Sequence, residues 1–249
     1  MTEQDHTSSQ ISYPRKRLVR GILRGLIRGA LVTLSDFHIE GKENIPESGP
    51  LLVVGNHFSF IDPVAVIGVS PWPLEFLSGT QLPNAPWIVR WIPKVYGVLP
   101  VHRGSVSRSA LRNAEMVLRQ DGVVGIFPEG GNWANVLRPA RPGAAYLAAR
   151  TEARILPVGI DGVWNIFPRL KEGRRAKVTI RIGKPFGPFT LNGRGKARRE
   201  QIDHVGHTIM KKIAELIPPA LRGHYSDDPA IRKAAEGTEI WPWADQPEM

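Results

Sequence analysis

The pattern of hydrophobic residues divides the chain into short apolar runs and longer segments with helical periodicity. Residues 51–55 form a continuous apolar run, which is typical of a strand buried on both faces. Comparable runs predict further strands at residues 74–77, 95–101, 123–127, 155–160 and 177–182. Helical periodicity occupies residues 105–120, 142–151 and 198–217. Strands separated by helices predict an α/β fold with a largely parallel central sheet flanked by helices.

Residues 14–34 have the spacing of an amphipathic basic helix. At 100° per residue, four arginines fall within a sector of about 80°: Arg17, Arg20, Arg24 and Arg28. The opposite arc is apolar and comprises Leu18, Val19, Ile22, Leu23, Leu26 and Ile27. Because an arginine at a bilayer centre costs about 2.5–3.5 kcal/mol, we expect this helix to lie in a lipid interface rather than to span it. The alternative is that its apolar arc packs on the domain.

Length and composition favour one large domain with an extension at each end. With 249 residues and 42% hydrophobic content, the chain can bury a sizeable core. We predict a disordered tail and the interfacial helix in residues 1–36, a catalytic domain in 37–217 and a C-terminal extension in 218–249. The absence of cysteine excludes disulfides, thiolate metal sites and a cysteine nucleophile.

The formal net charge is +10 at pH 7, and basic residues concentrate in 15–28 and 154–212. Both regions would attract an anionic surface or anionic substrates. For the second region, a solvated basic face is the alternative, because charge runs often serve solubility alone.

Candidate chemistry begins where the run at 51–55 ends. His57 precedes Asp62 by five positions, and Asp62-Pro63 is typical of a helix start. A neutral imidazole can accept the proton of an attacking alcohol, and a carboxylate on its other nitrogen fixes the tautomer. The turn must fold Asp62 back, since five positions of unbroken helix would separate the pair by about 140°. The alternative is that Asp62 only caps its helix and His57 is an ordinary loop residue.

A second polar group follows another strand. Glu129 lies in Phe-Pro-Glu-Gly, directly after the run at 123–127. In parallel sheets, ligands bind beyond the carboxyl ends of the strands. His57 and Glu129 occupy comparable positions, so we expect one site to contain both.

Four blocks of the chain, in this order, resemble the glycerolipid acyltransferase family, which includes glycerol-phosphate and lysophosphatidic acid acyltransferases. The blocks are Asn-His-Phe-Ser-Phe-Ile-Asp at 56–62, Val-Leu-Pro-Val-His-Arg at 98–103, Phe-Pro-Glu-Gly at 127–130 and Ile-Leu-Pro-Val-Gly-Ile at 155–160. The resemblance covers about residues 37–185, and four ordered blocks make it specific.

The resemblance implies that His57 is the general base, with Asp62 as its partner. It implies that Arg103 contacts the phosphate of the acceptor, and an arginine fork suits a phosphate. Glycines after Glu129 let the backbone approach a ligand, although they also occur in ordinary turns. The predicted substrate-binding residues are Asn56, Ser59, Arg103, Glu129, Gly130, Gly131, Arg138 and Arg141.

One block departs from the family pattern. Members that use simple phosphorylated acceptors usually continue with Thr and then Arg or Ser, whereas this chain has Gly131-Asn132-Trp133. The loss of a hydroxyl and a nearby cation weakens the case for a phosphate, and Trp133 suits a bulkier or more apolar acceptor. Alternatively, Arg138 and Arg141 replace the missing charge.

The sequence therefore predicts a peripheral enzyme on the cytoplasmic face of a membrane. It would transfer a fatty acyl group from acyl-CoA or acyl carrier protein to a hydroxyl of a glycerol-phosphate or lysophospholipid acceptor in phospholipid biosynthesis, with no metal or other cofactor. The expected partners are a membrane lipid surface and the thioester donor, and no nucleic acid is expected. The alternatives are a bulkier, non-phosphate lipid acceptor, or a non-catalytic basic protein that binds membranes or nucleic acid.

Overall fold

The computed structural model describes residues 11–79, 90–101, 108–240 and 242. Within them, the helices are α1 (Arg17–Leu34), α2 (Asp62–Val69), α3 (Ile92–Tyr96), α4 (Arg108–Leu118), α5 (Pro142–Thr151), α6 (Ile166–Lys171), α7 (Gly195–Ala214) and α8 (Pro229–Ala235). The strands are β1 (Ser35–Glu40), β2 (Leu51–Gly55), β3 (Glu75–Gly79), β4 (Leu99–Val101), β5 (Val123–Ile126), β6 (Arg154–Asp161) and β7 (Ala176–Ile182). The tail expected to be disordered, residues 1–10, lies outside the described residues.

These strands form a seven-stranded sheet in the order β1-β7-β6-β2-β5-β3-β4. All neighbours are parallel except β6 and β7, which confirms the predicted, largely parallel α/β fold. β2 lies at the centre, where Leu51 is opposite Val123 on one side and Arg154 on the other. Its carboxyl end therefore meets those of β5 and the neighbouring parallel strands at one edge.

Two predictions about strands are corrected. The strand predicted at 95–101 is wrong in its first half, because α3 extends to Tyr96 and only Leu99–Val101 is a strand. Pro93 lies in the first turn of α3, and Gly97 ends that helix in a left-handed conformation at φ 77°. The sequence did not predict β1, because it is a half-exposed edge strand with polar residues at alternate positions.

The two faces of the sheet are covered by different helices. Leu52 and Val54 pack on the layer formed by α4, α5 and α7. Leu51 and Val53 pack on the opposite layer, which contains α1 and α2. β2 is buried along its whole length, which explains why its sequence is continuously apolar.

Helix α1 has nearly the predicted bounds, but its arginine sector does not form a solvent-facing ridge. Arg20 is buried and pairs with the buried carboxylate of Glu75 on β3. Arg24 donates to the carbonyl oxygens of Ser70 at 3.2 Å and Pro71 at 2.7 Å. Arg20 is buried because the Glu75 carboxylate on β3 must be neutralised once α1 covers it. Arg20 and Arg24 therefore face the protein, together with the buried Ile27 and Leu31 of the same helix, whereas Arg17 and Arg28 are exposed.

The side of α1 that faces away from the sheet is apolar. Leu18 is 77% exposed, Leu26 66% and Ile22 57%. We call these three residues the outer face of α1. In the described part of the chain, no helix is both long and apolar enough to cross a bilayer.

The C-terminal extension packs on the loop that follows β5. The amide of Leu137 donates to the carbonyl oxygen of Leu221 at 2.9 Å. The carbonyl oxygen of Leu137 accepts the amide of His224 at 3.1 Å. Gly223 approaches Leu137 so closely that a β-carbon at Gly223 would lie 2.4 Å from the Leu137 carbonyl oxygen. This segment therefore helps to fix the loop that carries Glu129 and Trp133.

Candidate active site

The turn between β2 and α2 folds Asp62 back onto His57. Asp62 lies in the first turn of α2, directly before Pro63. Its Oδ2 lies 3.1 Å from His57 Nδ1 and accepts the amides of Phe58 and Ser59, each at 2.6 Å. The tight turn thus supplies the geometry that the sequence hypothesis required.

The His57 ring is held from two sides. It stacks on Phe127, with ring centroids 4.4 Å apart and an interplanar angle of 18°. Because the Asp62 carboxylate is an acceptor, Nδ1 carries the proton and Nε2 keeps its lone pair. The His57 side chain is 16% exposed, which leaves it accessible to a substrate. Nε2 is therefore placed to accept a proton.

The Asp62 carboxyl is completely buried. Burial raises the pKa of Asp62 above its usual value, and the hydrogen bonds with His57, Ser59 and Phe58 oppose that rise. Its second oxygen, Oδ1, has no hydrogen-bond partner among the described residues. A carboxylate in such a setting gains most from a cation beside it, so it would stabilise the imidazolium that forms when His57 accepts a proton.

Glu129 connects the loop after β5 to the histidine turn. Its Oε1 accepts the backbone amide of His57 at 2.7 Å, and its Oε2 accepts Arg138 Nε at 3.2 Å. Burial raises the pKa of Glu129 to about 8, against the opposing effect of the Arg138 guanidinium. Sequence reasoning expected a substrate contact here, and that role stays a prediction. The structure shows that Glu129 positions His57.

The unusual Gly131-Asn132-Trp133 forms a packed unit with Arg138. The Arg138 guanidinium lies 3.6 Å from the centre of the Trp133 ring, and its Nη2 donates to the Gly131 carbonyl oxygen. A β-carbon at Gly131 would lie 2.5 Å from Trp133 Cζ3. The indole Nε1 donates to the Thr238 carbonyl oxygen at 2.9 Å. The tryptophan therefore requires a glycine at 131 and uses the C-terminal extension for support.

This unit changes the interpretation of Arg138. The side chain is only 1% exposed and is the ion-pair partner of Glu129, at 3.2 Å. Its Nη1 has no hydrogen-bond partner among the described residues. As placed, Arg138 is directed at Glu129 and does not present an open cation to solvent.

Asn56 and Ser59 are buried close to His57. The Asn56 amide donates to the Ile160 carbonyl oxygen at 2.9 Å and accepts the Ile160 amide at 2.7 Å. This pair fixes the end of β2 against β6. Ser59 Oγ accepts the Ile61 amide at 3.3 Å. Both residues shape the turn, and their predicted contact with substrate stays a prediction.

The remaining predicted site residues lie at the rim or outside the described chain. Gly130 has a φ of 79°, and a β-carbon there would lie 2.8 Å from Arg141 Cδ. Arg141 is exposed, so its guanidinium is accessible from solvent. Arg103 lies outside the described residues.

Sequence reasoning missed the residues that hold the site from a distance. Phe127 belongs to the recognised Phe-Pro-Glu-Gly block, but its stacking on His57 depends on sheet order. Ile160 and Thr238 act through backbone groups, which leave no side-chain signal. Among the described residues, no group of three or more His, Asp or Glu is arranged to hold a metal ion.

Comparison with known proteins identifies related acyltransferases. A 1-acyl-sn-glycerol-3-phosphate acyltransferase of Borreliella burgdorferi is 32% identical over 132 residues, which cover 52% of this chain and 52% of that protein. A protein of the same name from Bacillus subtilis is 24% identical over 149 residues, which cover 59% of this chain and 72% of that protein. The chain thus matches about half the length of the first relative.

A solved structure shows the same architecture. The 1-acyl-sn-glycerophosphate (LPA) acyltransferase PlsC from Thermotoga maritima aligns with a TM-score of 0.56 and 25% identity over 79% of each chain. The family model described as Acyltransferase matches residues 36–161, which include His57, Asp62 and Glu129. Because this match spans half of the chain, the protein belongs to the Acyltransferase family.

Proposed function

We propose that this protein transfers a fatty acyl group from a thioester, acyl-CoA or acyl carrier protein, to the hydroxyl of a lysophospholipid or glycerol-phosphate acceptor. The observation that carries the proposal is the buried Asp62 carboxylate at 3.1 Å from Nδ1 of a partly exposed His57. The names of the relatives support a glycerol-phosphate type of acceptor.

In the proposed reaction, His57 Nε2 takes the proton of the acceptor hydroxyl while the hydroxyl oxygen attacks the thioester carbonyl carbon. Asp62 stabilises the imidazolium that forms. The tetrahedral intermediate then collapses, the carbon–sulfur bond breaks and the thiolate takes the proton from His57. The products are an ester and a free thiol, and the two substrates alone supply every atom.

Thiol release tests this proposal directly, since the chain contains no cysteine and adds no background. Acyl-CoA, or acyl carrier protein loaded with a fatty acyl thioester, is combined with lysophosphatidic acid, with glycerol 3-phosphate, or with an uncharged monoacylglycerol. Thiol is expected only when an acceptor is present, and His57→Ala should abolish it while leaving the circular dichroism spectrum unchanged. Release without an acceptor, or persistence in His57→Ala, would show that the mechanism is wrong.

A second candidate function is acyl transfer to a bulkier, non-phosphate lipid, and the uncharged monoacylglycerol tests it. The packed Trp133 unit, with Arg138 directed to Glu129, favours a bulkier, non-phosphate lipid. A kcat/KM for monoacylglycerol above that for lysophosphatidic acid would establish that candidate. The reverse order would establish the phosphate acceptor. Salt-sensitive binding to membranes or nucleic acid without turnover would instead establish the non-catalytic alternative.

We further propose that the outer face of α1 binds the surface of a membrane, on the cytoplasmic side where acyl thioesters occur. Its three apolar side chains are exposed, and Arg17 and Arg28 on the same helix are exposed for contact with anionic headgroups. Arg20 fixes the opposite side of the helix to Glu75. The helix therefore has one side for the protein and one for the lipid.

Co-sedimentation with anionic liposomes tests this attachment. Removing residues 1–34 would uncover Glu75, so the test uses Leu18→Ser/Ile22→Ser/Leu26→Ser in the full chain. We expect a loss of liposome binding with unchanged thermal stability. Phe167→Ser, at another exposed apolar residue, is the matched control. Equal binding by the triple variant and the wild type would refute attachment through this face.

A further inference from the structure

A cavity of about 470 Å³ opens between α4, α5 and α7, on the sheet face away from α1. Three arginines line it: Arg108 and Arg112 on α4 and Arg150 on α5. Apolar surface lies between them, from Leu111, Tyr146 and Ile202. A half-enclosed space of this size suits a small molecule rather than the surface of a protein, whose contact patch spans about 800 Å² per partner.

The arginines differ in what they already bind. Arg150 Nε pairs with Glu115 at 3.2 Å, and Glu115 also pairs with Arg119 at 2.7 Å. The side chains of Arg108 and Arg112 make no hydrogen bond or ion pair with another described residue. They lie four positions apart, so they share one face of α4. Two guanidinium groups are thus available at the rim, and guanidinium groups bind phosphates with bidentate geometry.

The cavity lies toward the edge of the sheet that carries the candidate active site. Arg108, in its lining, is the first residue of α4, and Pro142 is the first residue of α5. Because α4 follows the carboxyl end of β4 and α5 follows that of β5, both helices begin at this edge, where His57 follows the carboxyl end of β2. A ligand that occupies the cavity and extends over the carboxyl edge of the sheet would therefore reach His57.

We propose that this cavity binds the nucleotide part of coenzyme A, with Arg108 and Arg112 on its phosphates and the adenine against the apolar wall that contains Tyr146. The flexible pantetheine arm then carries the thioester over the sheet edge to His57. This inference rests on the proposed acyl transfer, and it selects acyl-CoA over acyl carrier protein as the donor. Carrier protein lacks the nucleotide that would fill the cavity.

Calorimetric titration of the full chain with free coenzyme A tests the site without relying on activity. Arg108→Gln/Arg112→Gln is expected to weaken binding by about tenfold or more, since each charge-assisted hydrogen bond lost contributes that order of affinity. The control is Arg169→Gln/Lys171→Gln, which removes the same two positive charges from α6, away from the cavity. No binding by the wild type, or equal binding by the double variant, would overturn the proposal.

Kinetics with two donors then separates this role from a general loss of activity. The double variant should raise the KM for palmitoyl-CoA about tenfold or more with little change in kcat, and leave turnover of palmitoyl-pantetheine, which lacks the nucleotide, unchanged. Equal losses with both donors would overturn the assignment, and so would a defect seen only when palmitoyl-acyl carrier protein is supplied as a third donor. If the wild type transfers no acyl group at all, the proposed function fails, and the titration still decides whether the cavity binds coenzyme A.

Discussion

Replacing Asp62 by asparagine removes one charge and leaves the shape of the turn intact. In the native turn, one oxygen accepts three donors: the amides of Phe58 and Ser59 and the His57 Nδ1–H group. The other oxygen accepts none from the described residues. An asparagine would therefore place its oxygen on the three donors and its NH2 group at the unpartnered position. His57 keeps its tautomer in this arrangement.

What Asp62→Asn loses is the stabilisation of the imidazolium. The two groups are 3.1 Å apart. At about 4 Å and an effective dielectric constant of about 20, two unit charges interact by about 4 kcal/mol. Losing that amount from the transition state would lower kcat by about three orders of magnitude. The KM values of both substrates should change little, because neither substrate contacts a buried Asp62.

The assay is steady-state thiol release at saturating donor and acceptor, with thermal unfolding of the same samples. Asp62→Ala is the informative comparison, since it leaves the Phe58 and Ser59 amides without an acceptor and should lower stability by about 1–3 kcal/mol per amide. His57→Ala/Asp62→Asn should be no slower than His57→Ala alone, because the two residues act as a unit. A folded Asp62→Asn enzyme with more than about a tenth of wild-type kcat would refute the reasoning.

Three further changes test the surroundings of the site. Glu129→Gln should remove a pH dependence of the free energy of unfolding. The native pKa of Glu129, about 8, lies above its ordinary value of 4.5. The stabilisation of the fold by Glu129 is therefore full below pH 4.5 and is lost as pH rises through 8. A Tm difference between wild type and Glu129→Gln that stays constant from pH 4 to 9 would contradict this. Trp133→Ala should raise the acceptor KM about tenfold, because it releases Arg138. Trp133→Phe keeps an aromatic ring and loses only the hydrogen bond to Thr238, so it should raise the acceptor KM less. Equal effects of the two variants would rule out support of Arg138 by the ring. Glu75→Gln leaves Arg20 buried without its counter-charge and should cost about 3–5 kcal/mol in denaturant unfolding, and a loss below about 1 kcal/mol would show that the pair is solvated.

Much of the site could be predicted from the sequence because its chemistry lies in short, local segments. The His57–Asp62 spacing and the Pro after it predict a turn that returns the carboxylate, and the structure has that turn. The buried run of β2 predicts the strand on which the turn is placed. Local spacing and continuous hydrophobicity are properties that a linear pattern can carry.

The orientation of α1 was decided by tertiary structure. Periodicity correctly predicts the helix, but the side that faces the protein depends on Glu75, which is 55 residues away from Arg20 in the chain. Leaving the buried Glu75 carboxylate without a cation costs more free energy than leaving the apolar arc of α1 exposed. The apolar residues of the outer face therefore remained exposed.

The same division applies to Glu129 and Trp133. Their motif marks them as unusual in the sequence, and it predicts that they belong to the site. Only the fold brings Glu129 to the His57 amide, seats Trp133 against Gly131 and Arg138, and ties it to Thr238, 105 residues later. The sequence by itself determined the His57–Asp62 pairing and the strand that precedes it. Tertiary structure decided which groups hold that pair, because those contacts join segments far apart in the chain through burial and backbone hydrogen bonds.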